Sequence, residues 1–371
     1  MAKISVLIIS DQTIQNVQFI KEFEADSYLF ISTSDMEKKG CSKWIQNTLH
    51  LQDDLVSKIE VKEFEPQKIQ EKLHDIYSEN NQYQVNITGG TKLMSIAVND
   101  FFKNKTNATI YYLTGKNTIL NLKNNTETKL KKKITLQEYL TSYGIEIKSQ
   151  NPSKYPFAST NKIYEEFVAA YKDNIDCLKE LRDYFQEKNK KAKEVSIETI
   201  PCLKNLLQRF NFQAKNPEKI YKDEADYLTG KWLEEYTYHR IKQTLKLDEA
   251  YIGMGLLLKK NNIEKTDNDF DVMFVYENEL YIVECKTSHR IEGKSHLNEQ
   301  IYKLDALGKE FGIFSKTFLF TLGDLPKSKD NEMKQIRDRL KFHRMTLLTK
   351  ENYELENTKA FEDWLSKDLK K

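Results

Sequence analysis

Thr266-Asp-Asn-Asp-Phe-Asp-Val-Met-Phe-Val-Tyr276, followed after a short polar break by Leu280-Tyr-Ile-Val-Glu-Cys-Lys-Thr-Ser288, decides how the chain is read. It predicts a β-hairpin. Successive side chains of a strand point to opposite faces, so Glu284 and Lys286 share one face while Tyr281, Val283 and Cys285 take the other. A two-residue turn, either Glu277-Asn278 or Asn278-Glu279, sets Asp271 opposite Glu284 or Lys286 and on their face in both cases. A three-residue loop would move Asp271 to the other face. Two hard carboxylates on one face suit Mg²⁺ or Mn²⁺, which take oxygen ligands and keep waters for chemistry. The Lys286 ammonium beside them can hold a hydroxide nucleophile or neutralise charge building on phosphorus. The competing reading, a solvated face with a salt bridge, would place ions on an apolar strand for little gain in stability.

The whole chain sets looser bounds. Its 371 residues imply two or three domains, and 39% hydrophobic with 31% charged residues fit a soluble globular protein. A net charge of +2 does not advertise nucleic-acid binding, so any basic groove must be local. Cys41, Cys177, Cys202 and Cys285 form no CxxC pair, which predicts neither a zinc site nor a disulfide framework and points to a reduced cytoplasm. The apolar run in Met1–Ser10 is too short for a signal peptide or a span, so no membrane partner is expected.

From Lys3 to about Leu122 short apolar strands alternate with amphipathic helices. Strands are expected at Ile4–Ser10, Tyr28–Ser32, Lys58–Val61, Gln84–Thr88 and Thr109–Leu113, with helices at Ile14–Phe23, Met36–Thr48, Pro66–Ile76 and Thr91–Phe102. That alternation predicts a doubly wound, mostly parallel α/β sheet, whose ligands bind beyond the carboxyl ends of the strands. Two such ends are chemically pointed. Ser10-Asp11-Gln12-Thr13 follows the first strand, and Asn86-Ile87-Thr88-Gly89-Gly90-Thr91-Lys92 follows a central one. Gly89 and Gly90 allow a tight turn and close backbone approach. Thr91 and Lys92 open a helix, where free amides and the dipole favour phosphate. The same residues also suit a plain strand-to-helix turn capped by Thr91. Neither GxGxxG nor GxxxxGK[ST] occurs there, which argues against NAD binding and NTP hydrolysis.

Asn86-Ile-Thr-Gly-Gly-Thr-Lys-Leu-Met-Ser95 resembles the ligand loop of CARF domains, the sensor modules of type III CRISPR systems. The resemblance implies a Rossmann-like homodimer that binds a cyclic oligoadenylate across its two-fold axis. It carries Thr88, Gly89, Gly90, Thr91, Lys92 and Met94 into the ligand loop, and Ser10, Gln12 and Thr13 into the other ligand-facing strand end. Ser32, Thr33 and Ser34, and Gly115, Lys116 and Asn117, are further positions that also read as polar turns.

Ser149–Pro156 reads as a linker into helices at Asn161–Tyr171, Asp176–Phe185 and Ile200–Phe210, a small helical connector. Gly230–Leu245 is a helix, followed by a strand at Tyr251–Leu258, the hairpin, a helix at His296–Glu310 and a strand at Lys316–Leu322. Asp271, with Glu284-Cys285-Lys286 on the next strand, resembles the PD-(D/E)xK nuclease superfamily, although Phe270 stands where its proline would be. The resemblance implies a restriction-endonuclease-like α/β domain with Asp271 and Glu284 as metal ligands and Lys286 as the catalytic lysine. Its leading helix carries an acid toward the metal; Glu234 matches that spacing and Glu235 is the open alternative. Both are also ordinary first-turn acids that complement the helix dipole.

Together these resemblances divide the chain into a CARF sensor (1–148), a helical connector (149–228) and a nuclease domain (229–371). They imply a metal-dependent endonuclease switched on by cyclic tetra-adenylate, cutting single-stranded RNA and DNA or nicking DNA in the cytoplasm. Two other functions fit the residues. One is a nucleotide-sensing regulator that binds nucleic acid without cutting it; the other is a constitutive repair or restriction nuclease whose N-terminal domain only dimerises.

Overall fold

The computed structural model describes residues 1–115, 117–188, 191–260, 268–287, 290–291, 294–295, 297–313, 315–323, 325, 331–350 and 358–370. The N-terminal half alternates as the sequence predicts: β1 (Lys3–Ile8), α1 (Ile14–Glu22), β2 (Ser27–Ser32), α2 (Ser34–Lys39), α3 (Cys41–Leu49), β3 (Val56–Glu60), α4 (Pro66–Ile76), β4 (Gln82–Asn86), α5 (Lys92–Phe102) and β5 (Ala108–Leu113). An antiparallel hairpin, β6 (Thr118–Asn121) and β7 (Thr126–Lys129), and a helix, α6 (Leu136–Ser142), complete it. The predicted single helix Met36–Thr48 is two, because Gly40 takes a left-handed φ of 90° and breaks it.

The strand order is β3-β2-β1-β4-β5-β6-β7, with β1 to β5 parallel. The order reverses between β1 and β4, which opens a crevice beyond their carboxyl ends. The segments 9–13 and 87–91 follow β1 and β4 at that end. One face of the sheet packs Val6, Ile8, Val85 and Ile110 against Ile69 and Leu73 of α4 and Met94 and Val98 of α5. The other face has a second partner described below.

Beyond α6 come β8 (Ile145–Ser149), α7 (Phe157–Ala169), α8 (Tyr171–Asp183), β9 (Glu194–Ser196), α9 (Leu203–Arg209), β10 (Lys219–Tyr221), α10 (Lys222–Asp226) and α11 (Trp232–Leu245). The second sheet is completed by β11 (Ile252–Lys260), β12 (Asn268–Tyr276), β13 (Glu279–Lys286), two-residue strands β14 (Arg290–Ile291) and β15 (Lys294–Ser295) aside, then α12 (Leu297–Gly308), β16 (Lys316–Thr321), α13 (Asn331–Phe342), β17 (Thr346–Thr349) and β18 (Thr358–Ala360). Its order is β18-β17-β16-β13-β12-β11-β8. The antiparallel hairpin β12–β13 sits at its centre, with parallel β16, β17 and β18 on one flank.

β8 pairs antiparallel with β11, so the second sheet takes a strand from before the expected linker, and the division at 148/149 falls inside that strand. The connector helices have no core of their own. Phe167 of α7 packs on Trp232 of α11 with ring centroids 5.2 Å apart, in one cluster with Val272 and Val283 of the hairpin. Cys177 of α8 and Cys202 beside α9 form a disulfide with a Cα–Cα distance of 5.8 Å, contrary to the expectation of none. The pair is 25 residues apart in sequence, and only the packing of those helices brings it together.

The two sheets share a core. Leu7, Phe19 and Tyr139 of the N-terminal half lie in one buried cluster with Leu256, Met273, Leu280 and Ile282. The hairpin is therefore sandwiched between the α11 side and the N-terminal half.

Candidate active site and ligand crevice

Val272 faces Val283 and Tyr276 faces Glu279 in the hairpin, so the turn is the two-residue Glu277-Asn278, the first of the two predicted registers. Both turn residues have left-handed φ, 50° and 62°, as a type I′ turn requires. Asp271 then comes opposite Glu284. The Lys286 ammonium is 2.7 Å from Glu284 Oε1 and 3.6 Å from Asp271 Oδ2. The Cys285 amide donates to Asp271 Oδ2 at 2.7 Å. On the neighbouring strand β11, Met254 pairs with Val272 and Leu256 with Phe270, and Gly255 between them has φ of 53° and a missing side chain that leaves room for Asn151.

Glu234 and Glu235, adjacent in sequence, do different things. Glu235 is 2% exposed, and its Oε1 accepts hydrogen bonds from Ser153 Oγ at 2.7 Å, the Tyr155 amide at 2.9 Å and the Lys154 amide. It holds the loop after β8. Glu234 lies within electrostatic reach of Asp271, Asp269, Lys231 and Lys286, and burial followed by the charges of Asp271 and Asp269 pushes its carboxyl up to about 8. Asp271 is pushed up to about 7, first by burial and then by Glu284. Burial alone would lower Lys286, but Asp271 and Glu284 overcome it and raise the ammonium well above its ordinary value. A cavity of about 50 Å³ beside Glu234 is bounded by Asn151, Pro152, Lys154 and Lys231.

Among the described residues no three His, Cys, Asp or Glu side chains already stand as a ligand set. The Lys286 ammonium lies between Asp271 and Glu284. The donor chemistry nevertheless fits a hard divalent cation. Asp271, Glu284 and Glu234 supply carboxylate oxygens of the kind such a cation takes, and burial followed by the neighbouring carboxylates raises Glu234 and Asp271. Gln300 and Lys303 lie on α12, the helix after the motif, and Gln300 Oε1 is buried with no hydrogen-bond partner among the described residues. His289 and His296 lie outside the described residues.

The crevice of the first sheet gathers some of its predicted residues and diverts others. Gly89 and Gly90 press on β1: a Cβ on Gly89 would come within 2.3 Å of the Ile8 carbonyl oxygen, and Gly90 has φ of 75°. Thr88 Oγ1 donates to Asn86 Oδ1 at 2.6 Å and accepts from the Leu113 amide at 2.8 Å. Asn86 in turn donates to Asn16 at 2.9 Å, a buried polar pair that fixes the loop. Thr91 caps α5 through the Met94 amide at 3.3 Å, and Lys92 is exposed at its first turn. Met94 is 1% exposed and packs beneath Gly90, so it supports the loop rather than facing outward.

At the other strand end Ser10 Oγ accepts from the Gln12 amide at 3.3 Å. The Gln12 side chain reaches the second half, where its Oε1 accepts from the Ile313 amide at 3.0 Å, and Thr13 is wholly buried, donating to the Ser142 carbonyl. Ser32 is buried, Thr33 caps α2 through the Met36 amide at 3.4 Å, and Ser34 is exposed. Gly115 and Asn117 lie beside the 277–278 turn; Lys116 is outside the described residues.

Residues 4–139 match the family described as Card1 CARF domain, and residues 221–365 match the family described as Card1-like, endonuclease domain. The chain belongs to the Card1-type CARF–endonuclease fusions. Among curated proteins none matches. Similar solved structures include Can2 from Sulfobacillus thermosulfidooxidans in complex with cyclic tetra-adenylate, with a TM-score of 0.73 and 20% identity, covering 93% of this chain and 95% of that one. Protein VC1899 from Vibrio cholerae gives a TM-score of 0.75 at 17% identity, covering 99% of this chain and 96% of that one. A type III CRISPR defence DNA nuclease activated by cyclic oligoadenylate gives 0.63 at 15% identity, covering 100% of this chain and 52% of that one. At these identities the likeness is one of fold. No described helix is long and apolar enough to cross a membrane.

The hairpin and α11 thus lie in the endonuclease domain, and the crevice in the CARF domain. Sequence reading passed over Lys231, Asp269 and Asn16, and read Asn278 only as a turn residue. Lys231, three residues before Glu234, carries a readable signal, since that spacing puts both on one helix face. Asn16 carries none, because only the fold brings α1 under the β4 end.

Proposed function

We propose that the protein is a metal-dependent endonuclease activated by cyclic tetra-adenylate, cleaving single-stranded RNA and DNA, or nicking DNA, in type III CRISPR defence. The observation that carries the reading is the convergence of Asp271, Glu284 and Lys286 beside Glu234, in a chain whose other domain is a CARF domain.

Asp271, Glu284 and Glu234 would hold Mn²⁺ or Mg²⁺, which when bound supplies Lewis acidity and a water of lowered pKa. Lys286, fixed between two carboxylates, presents its ammonium to the attacking oxygen or to the charge that builds on the phosphoryl group. Lys231 steadies the Glu234 carboxylate. Glu235 orders the 153–155 loop on the rim of the cavity.

In the CARF domain the backbone at Gly89 and Gly90, the start of α5 at Thr91 and Lys92, and Ser10 and Thr88 would receive ligand phosphates and riboses across a two-fold axis. Two observations support this: the Can2 structure of the same fold was solved with cyclic tetra-adenylate, and Leu93 and Ile96 of α5 leave apolar side chains exposed beside the loop, 41% and 55%, as a homodimer contact would. Ligand would favour the arrangement of the paired nuclease domains that admits substrate.

The test is cleavage of labelled single-stranded RNA, single-stranded DNA and supercoiled plasmid in Mn²⁺, with and without cyclic tetra-adenylate. Ligand-dependent cutting is expected. Equal cutting without ligand would favour a constitutive nuclease, and no cutting under any condition a regulator that only binds.

A further inference from the structure

The turn that joins the two catalytic strands is not at the surface. Asn278 is 5% exposed and makes four hydrogen bonds, all to the CARF half of the chain. Its Nδ2 donates to Asn117 Oδ1 at 2.6 Å and to the Lys132 carbonyl at 3.1 Å, its Oδ1 accepts from the Ile134 amide at 2.7 Å, and its carbonyl accepts from Gln18 Nε2 at 3.3 Å. Glu277 beside it accepts from Asn117 Nδ2 at 3.0 Å and pairs with Lys129 at 2.5 Å. Leu280 and Ile282, next along β13, are buried in the core they share with Leu7 and Phe19.

Asn117 is tied to the ligand crevice. It lies four residues after Leu113, whose amide is held by Thr88 Oγ1. From Leu113 the route continues through Thr114, whose amide donates to the Thr118 carbonyl at 3.1 Å, to Thr118 and its neighbour Asn117, and so to the tip of the hairpin. From Asn278 the paired strands run six residues to Glu284, about 20 Å at roughly 3.3 Å per residue. A hydrogen-bonded strand pair is stiff along its length, so a shift of its tip moves its far end.

We propose that Asn278 is a positioning residue: its seat in the CARF domain sets where the hairpin holds Asp271 and Glu284, and ligand at the Thr88–Lys92 loop acts on the nuclease through that seat. This rests on the proposed function and adds the route by which one copy of the chain couples its own two domains.

The test uses the full chain and two variants. Asn278→Gly keeps the left-handed turn and deletes the three side-chain hydrogen bonds. Asn278→Asp keeps the acceptor for Ile134 and loses both donations. Cleavage rates in Mn²⁺ with and without cyclic tetra-adenylate are measured below each variant's melting temperature, with ligand affinity measured separately by calorimetry. Ligand affinity should stay within about twofold, while the ratio of stimulated to unstimulated kcat falls about tenfold or more in Asn278→Gly and less in Asn278→Asp. Should Asn278→Gly not fold, Asn278→Asp carries the same comparison. A folded variant with a lower melting temperature but an unchanged ratio would show a merely structural role and overturn the inference alone. Equal cutting by the wild-type chain with and without ligand would sink the proposed activation, and this route with it.

Discussion

Replacing Glu234 and Glu235 one at a time separates chemistry from scaffolding at adjacent positions of one helix turn. Glu235→Ala removes the acceptor for the Ser153 hydroxyl and the Lys154 and Tyr155 amides. Each donor left without a partner costs about 1–3 kcal/mol when buried, and Ser153 and Lys154 lie where water can replace part of the loss. The expected cost is about 2–4 kcal/mol. Glu234 behaves differently. Its carboxyl rises from an ordinary 4.5 to about 8 in the folded chain. The folded state then binds more protons than the unfolded state between those values, so the stability it gives is full below 4.5 and is lost as pH rises through 8. At about 1.4 kcal/mol per pH unit, roughly 4 kcal/mol disappears between about pH 5 and pH 8.5. Glu234→Gln, which cannot ionise, should therefore stabilise the metal-free protein by a few kcal/mol near pH 8.5 and by less than about 1 kcal/mol near pH 5. It should also lose cleavage and the stabilisation that Mn²⁺ gives the wild type. The assay is urea unfolding in chelator at the two pH values, repeated with Mn²⁺, beside cleavage of a labelled single strand. Stabilisation by Glu234→Gln equal at both pH values would refute the electrostatic account. A stable, inactive Glu235→Ala with an active Glu234→Gln would reverse the two roles.

Three further outcomes are expected. Glu284→Ala should lower cleavage by at least about a hundredfold while leaving cyclic tetra-adenylate binding unchanged, because the residue lies in the other sheet; near-normal cleavage in a gel assay would contradict the site. Lys92→Ala should weaken ligand binding by roughly tenfold in calorimetry with no change in melting temperature, since the side chain is exposed and only its charge is lost. Leu93→Asp combined with Ile96→Asp should halve the mass seen in sedimentation and abolish ligand stimulation; a dimer that survives both charges would put the two-fold contact elsewhere.

Much of the hairpin was legible beforehand because its grammar is local. Alternation puts Glu284 and Lys286 on one face, and either two-residue turn adds Asp271 to it; the observed register, with its turn at Glu277-Asn278, chose between the turns left open. The strand-to-helix turn at Gly89-Gly90 is legible for a local reason, since Gly90 takes a left-handed φ of 75°, whereas the close approach to Ile8 of β1 is tertiary. The helix break at Gly40 was missed although its signal was present, because an amphipathic pattern runs on across it.

The rest depends on what packs against what. Sequence spacing could not choose between Glu234 and Glu235, because adjacent helix residues differ by about 100° of rotation and only the position of β12 and of the 153–155 loop says which direction meets which partner. Nor could it see that Gln12 and Asn117, polar residues beside a crevice, spend their side chains on the neighbouring half of the chain, or that Thr13 is buried against the Ser142 carbonyl. Cys177 with Cys202, and β8 with β11, are likewise joined by contacts far apart in sequence. The sequence by itself determined which charged side chains the hairpin can gather on one face and the turn at Gly89-Gly90, since both follow from backbone periodicity and turn sterics. Only the tertiary structure decided how they are connected, because the tip of the hairpin finds its hydrogen-bond partners some 140 to 260 residues away, between Gln18 and Ile134.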